Sequence, residues 1–196
     1  MDEPDQFKTT VISTNGPSKN AYPLPRIDDL INKLVGKKLF IKMDICWGYN
    51  NVRIHEGDEW KAAFICKYGL YEPLVMFFGL ANSPTTFQPI MNKIFHLEIT
   101  QEWLNDYLDD VLIGNQGDRK DLTNKANIVL DKCEKNSLFV KPEKCEFFVK
   151  KIGFLGFTVE DGKVAMEEQK VSGIADWPPP ENESQVRSFM GFCNWY

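Results

Sequence analysis

Asp109 and Asp110 stand side by side in Trp103-Leu104-Asn105-Asp106-Tyr107-Leu108-Asp109-Asp110-Val111-Leu112-Ile113-Gly114, between two short apolar, β-prone runs. That pattern predicts a hairpin with an acidic tip. Adjacent carboxylates repel each other unless they are solvated or share a cation, and hard divalent ions such as Mg²⁺ prefer carboxylate oxygen. The pair therefore reads either as ordinary turn chemistry, for which Asp is a favoured residue, or as part of a metal site. A third acid shifts the balance toward metal. Leu39-Phe40-Ile41-Lys42-Met43-Asp44 is a short β-like run ending in a carboxylate, and a neighbouring strand would bring Asp44 beside the tip. Three carboxylates on adjacent strands are what two-metal phosphoryl transfer requires, with ions about 3.5–4 Å apart.

The elements that must hold these acids are legible around them. Pro25 opens a helix with Ile27, Leu30, Ile31 and Leu34 on one face, Asp28 and Asp29 in its first turn, and Gly36 as its stop. Strands are predicted over 39–44, 49–55, 60–67 and 74–78, with a turn at Glu56-Gly57-Asp58. Ser83 as N-cap and Pro84 as first helical residue start a helix whose stripe is Phe87, Ile90, Met91, Ile94 and Phe95. A second amphipathic helix spans 121–136 through Leu122, Ala126, Val129, Leu130 and Cys133. Further strands are predicted at 138–140, 147–149 and 154–159, with a tight turn at Asp161-Gly162. Two helices, 167–177 and 184–196, flank Pro178-Pro179-Pro180, and the apolar face of the last one (Val186, Phe189, Met190, Cys193) wants a partner. Strands and helices mix without strict βαβ alternation, which predicts an α+β fold with helices packed on one face of a largely antiparallel sheet.

Composition narrows the classes. At 196 residues with 43% hydrophobic content the chain can bury one sizeable core. The longest apolar run, 74–81, is too short to span a bilayer, and no signal-peptide pattern is visible, so an intracellular protein without a membrane partner is expected. Five cysteines with no Cys-x-x-Cys pair argue against a disulfide framework and against structural zinc. A net charge of −5 gives no general attraction for nucleic acid, so any such contact needs a local basic groove.

Tyr107-Leu108-Asp109-Asp110 resembles the Tyr-x-Asp-Asp box of reverse transcriptases, and ordered motifs around it resemble the gypsy-type LTR retrotransposons. These are Tyr22-Pro23-Leu24-Pro25-Arg26-Ile27-Asp28, Asp58-Glu59-Trp60-Lys61-Ala62-Ala63-Phe64, Phe78-Gly79-Leu80-Ala81-Asn82-Ser83-Pro84, Lys141-Pro142-Glu143-Lys144-Cys145-Glu146-Phe147 and Phe154-Leu155-Gly156. The resemblance runs from about Asn20 to Tyr196. It implies a palm at 20–165 with residual fingers and the start of a truncated thumb or connection at 166–196. Residues 1–19 are left as an unassigned arm lacking the family's fingers motif.

The resemblance further implies RNA-directed DNA polymerase activity with two Mg²⁺ (or Mn²⁺) ions on Asp44, Asp109 and Asp110. Lys144 would protonate the leaving pyrophosphate, and Tyr49 and Phe78 would line the nucleotide pocket. Gln88, Tyr107, Leu155 and Gly156 would contact template or primer. Its partners would be dNTP, an RNA or DNA template with primer, and other segments of a pol polyprotein. A silent palm remnant that binds only nucleic acid or a partner chain is the alternative. The chain departs from the family pattern at Asn105 and Asp106, which replace apolar residues, at Phe77 for proline, and at Cys46 for a basic residue.

Overall fold

The computed structural model describes residues 22–193. Strand β1 (Leu39–Cys46) lies inside the main sheet and sets its polarity. Alternation puts Leu39, Ile41, Met43 and Ile45 on one face and Phe40, Lys42, Asp44 and Cys46 on the other. On one edge β1 pairs with β5 (Asp110–Asn115), which pairs with β4 (Leu104–Tyr107). On the other edge it pairs with β6 (Phe139–Val140) near its end and β7 (Glu146–Val149) near its start, with a bulge between Phe40 and Ile41. All of these pairings are antiparallel, in agreement with the α+β expectation.

Helices α2 (Ser83–Ile94), α3 (His96–Thr100) and α4 (Arg119–Lys135) follow in chain order. Phe87, Ile90 and Met91 of α2, Phe95, and Leu122, Ala126, Val129 and Cys133 of α4 bury Ile41, Met43, Ile45, Val111 and Ile113. Each large aliphatic buried this way stabilises by about 1.5–3 kcal/mol. A slip of one residue would turn Lys42 and Asp44 into this apolar layer, so the layer fixes the register that places the acids.

The opposite face is covered only in part. Helix α1 (Ile27–Asn32) and a three-stranded sheet of β8 (Lys151–Phe154), β9 (Phe157–Glu160) and β10 (Lys163–Met166) pack Leu30, Ile31, Leu34, Ile152, Phe154 and Val159 around Phe40 and Leu112. The cover stops short of Asp44 and Asp110, which stay partly exposed. Both turns of the small sheet, Leu155-Gly156 and Asp161-Gly162, have positive φ at each residue, as type I′ hairpins require. A Cβ at Gly162 would meet Gly36 Cα at 3.0 Å, and the Gly36 N–H donates to the Gly162 carbonyl at 3.0 Å, so this turn is docked on the turn that follows α1. Strands β2 (Phe64–Cys66) and β3 (Gly69–Tyr71) form an exposed hairpin. Helices α5 (Glu168–Ala175) and α6 (Glu183–Cys193) are linked through Trp177, whose ring lies tilted against Phe189 and Phe192.

Several strand expectations are corrected. The 49–55 segment is not a strand: Gly48–Asn51 is a 3-10 turn, and only Arg53 forms a bridge, with Val75. Glu59–Ala62 is a second 3-10 turn with Lys61 paired to Asp58 at 2.6 Å, which leaves only Phe64–Cys66 of the 60–67 segment as strand. The apolar run 74–78 is not a buried strand, because Met76 faces the core while Leu74 and Phe78 are exposed. Residues 154–159 are split by the Leu155-Gly156 turn into β8 and β9. The N-cap of α2 is Asn82; Ser83 is already helical and its hydroxyl donates to the Phe77 carbonyl. The arm at 1–19 and the end of the final helix, 194–196, lie outside the described residues.

Candidate active site

The acidic tip is a two-residue turn, Leu108-Asp109, closed by the pair Tyr107↔Asp110. Leu108 has φ +57° and Asp109 does not share a positive φ, so the tip is not the I′ turn found at the two hairpins of the small sheet. A leucine in that conformation costs on the order of 1 kcal/mol or more, so something must hold it. Gln88 does. It is fully buried in α2; its Oε1 accepts from the Leu108 N–H at 2.8 Å, and its Nε2 donates to Asp106 Oδ2 at 2.6 Å and to Asn92 Oδ1 at 3.0 Å. This corrects the reading of Gln88 as a template contact: the side chain points into the fold and grips both the turn and strand β4. Asp106 is the reason. A buried carboxylate without donors is expensive, and the amide supplies one.

Asp106 and Asn105 thus have separate uses. Asp106 faces α2, and burial pushes its carboxyl up to about 6 against the opposing pull of Gln88 and Lys33. Asn105 faces the other way and its Nδ2 donates to the Leu30 carbonyl at 3.3 Å, tying β4 to α1.

Register places Asp44 directly opposite Asp110, and the Ile45 N–H donates to the Asp109 carbonyl at 2.8 Å, which fastens the tip to β1. Asp109 is held above the usual carboxylate range, first by burial and then by the charges of Asp110 and Asp44. The three sequence-predicted acids are therefore brought together. Two lysines accompany them: Lys144 Nζ lies 3.1 Å from Asp44 Oδ2, and Lys42 Nζ 3.4 Å from Asp110 Oδ1. Hydrogen bonding to Asp44 and its charge, with smaller contributions from Asp109 and Asp110, keep the Lys144 ammonium protonated beyond the ordinary lysine range. Among the described residues no three His, Cys, Asp or Glu side chains converge closely enough, as they stand, to hold an ion. The donor chemistry nonetheless fits Mg²⁺, since hard carboxylate oxygens from two strands meet at one level, with ammonium groups against two of them.

Tyr49 sits beside this cluster. It is 6% exposed, with its ring edge-on to Phe78 at 4.9 Å and to Phe87 at 5.5 Å between centroids. Burial, then Asp109 and Tyr107, push its phenol up to about 12. Gly48 permits this seat: a Cβ there would lie 2.8 Å from the Phe87 ring. Phe78 is 67% exposed, so it is an accessible wall and not core. Tyr107 completes the hairpin pair with Asp110 and packs partly against the second core, as does Leu155. Leu155 and Gly156 form the turn that ends β8, the strand whose Gly153 carbonyl Lys42 reaches. Sequence reading missed Lys42. The available signal was its position two residues before Asp44, which puts both on one strand face.

An antiparallel sheet with this acidic hairpin is the fold of a reverse transcriptase palm. Its solved counterparts include a foamy viral protease-reverse transcriptase in complex with RNA/DNA hybrid (TM-score 0.76, 17% identity, 89% of this chain and 23% of that one). A second is the foamy viral protease-reverse transcriptase dRH in complex with double-stranded DNA (TM-score 0.75, 17% identity, 88% and 31%). The profile described as reverse transcriptase (RNA-dependent DNA polymerase) matches residues 7–159, and this chain belongs to that family. In sequence it is similar to the Transposon Tf2-3 and Tf2-7 polyproteins of Schizosaccharomyces pombe (strain 972 / ATCC 24843). Each is 31% identical over 176 residues, or 90% of this chain. The chain spans 13% of the length of these relatives.

Proposed function

We propose that this chain is the palm of an RNA-directed DNA polymerase from a gypsy-type LTR retrotransposon, with the palm at 20–165 and the start of a thumb at 166–196. The observation that carries the reading is the register Asp44↔Asp110 with Asp109 at the clamped tip, three carboxylates on one hairpin–strand junction in a chain of this family. Asp44, Asp109 and Asp110 would hold two Mg²⁺ or Mn²⁺ ions. When bound, such ions lower the pKa of the primer 3′-hydroxyl and neutralise charge on the departing pyrophosphate.

The residues of the chain do the remaining work. The primer 3′-hydroxyl gives up its proton to solvent, its oxygen forms a bond to the α-phosphorus of the dNTP, and the bond from that phosphorus to the bridging β-phosphate oxygen breaks. Lys144, kept protonated beside Asp44, would give its proton to the leaving pyrophosphate. Tyr49 and Phe78 make an aromatic floor that excludes a 2′-hydroxyl by clash. The Leu155-Gly156 turn offers backbone to the primer end. Template, primer and the other polyprotein segments are the partners this reading requires.

Primer extension tests it. Residues 1–19 contain only Lys8 and Lys19 as cationic side chains, so the chain alone is expected to hold a triphosphate weakly and extend slowly at micromolar dNTP. Joined to the fingers and thumb segments of a relative, it should extend a DNA primer on RNA and on DNA templates in Mg²⁺. In the joined protein Tyr49→Ala should raise the ratio of rNTP to dNTP incorporation. Failure of the joined protein to extend on either template counts against the function, and an unchanged ratio counts against the role of Tyr49.

A further inference from the structure

Lys42 has no part in the scheme above, yet it stands at its centre. Its ammonium is 3.4 Å from Asp110 Oδ1 and 3.5 Å from the Gly153 carbonyl, the outer limit of a hydrogen bond. Glu146 lies across from Lys42 on β7, and Glu167 comes close to Gly153, but among the described residues Asp110 is the carboxylate within ion-pair distance. The stem of Lys42 is confined by its position in the middle of β1, with strands on both sides. Only about a fifth of the side chain is accessible, 21% against 30% for Asp110. A cation so placed is built into the sheet, unlike Lys144, whose side chain is 56% exposed.

From this geometry we propose that Lys42 is a positioning residue: an internal counter-ion that turns the Asp110 carboxylate toward β8 and competes with divalent metal for it. The proposal rests on the metal reading of Asp44, Asp109 and Asp110 and deepens it. Lys42 and Lys144 each stand against one of the facing carboxylates, Asp110 and Asp44. An ion must draw Asp110 away from Lys42 and then remain near a fixed positive charge. The result is weak metal binding by the chain alone, so that tight loading waits for further anionic ligands such as the phosphates of a nucleotide. The Gly153 contact ties the same side chain to the strand ending in the Leu155-Gly156 turn, so the carboxylate and that turn share one anchor.

The test is Mn²⁺ alone, titrated calorimetrically into the intact chain without nucleotide, in the parent, Lys42→Met and Lys42→Arg. Methionine keeps an unbranched stem and removes the charge. Removing one positive charge beside a carboxylate that would hold the ion should tighten Mn²⁺ binding about tenfold at low ionic strength. The gain should shrink as salt is added. Lys42→Arg keeps the charge and should bind as the parent does. Thermal melting of each variant without metal shows that the sheet is intact. Equal or weaker Mn²⁺ binding by a folded Lys42→Met overturns the proposal while leaving the metal site standing, as does a gain shared by Lys42→Arg. No Mn²⁺ binding by any of the three overturns the metal reading and this inference together.

Discussion

Between about pH 4 and about pH 8, Asp106→Asn should gain about 2.5 kcal/mol of stability on the parent. Burial holds the Asp106 carboxyl at about 6 in the folded chain. In the unfolded chain the same group titrates near 3.9. Between those values the folded state binds the extra proton, so the stability contributed by the neutral acid is complete below the unfolded value. It is lost as pH rises through about 6. Asparagine carries no charge and avoids that loss, and its carbonyl can still accept from Gln88. Its new amide hydrogens need partners, but that cost is the same at both pH values and cancels in the comparison. Urea unfolding of both proteins at the two ends of the range measures the difference. Parallel stability curves would mean that Asp106 ionises freely and is not confined behind Gln88.

Asp110→Asn in the joined polymerase should lower the rate of primer extension by a factor on the order of a thousand or more, about 4 kcal/mol of transition-state stabilisation. The substitution is nearly isosteric and lies at the start of β5, where the ladder to Asp44 and Tyr107 is made by backbone, so the fold should persist. What disappears is one negative charge of the three that would hold the ions, leaving Lys42 beside a neutral amide. A loss expressed mainly in the chemical step, with primer binding little changed, is the expected signature. Extension within tenfold of the parent would assign the acids to turn chemistry.

The hairpin, its acidic tip and the Asp44 strand were legible because period-2 alternation flanked by turn residues is a strong local signal. The same holds for the buried stripe of Phe87, Ile90 and Met91 and for the Asp161-Gly162 turn. The stretch from Tyr49 to Phe78 was misread for a physical reason. There apolar residues do not share one buried face: Tyr49 turns in through a 3-10 turn that Gly48 allows, Met76 turns in alone, and Ile65, Leu70 and Phe78 remain exposed. Strand propensity without a common core face does not make a sheet. The buried use of Gln88 was not legible, because it depends on Asp106 from a strand 18 residues away. For Lys42 the sequence offered only its place on the Asp44 face of the strand; its partners, Asp110 and the Gly153 carbonyl, come from cross-strand register.

The most direct measurement of the central claim is the melting temperature and Mn²⁺ binding of the unmodified chain beside the double variant Asp109→Asn, Asp110→Asn. The chain should bind Mn²⁺ saturably and melt at a higher temperature in its presence. The double variant should fold, bind no Mn²⁺ at the cluster and show no rise. An identical response in both proteins, or none in the parent, would contradict a metal-dependent polymerase site built on Asp44, Asp109 and Asp110.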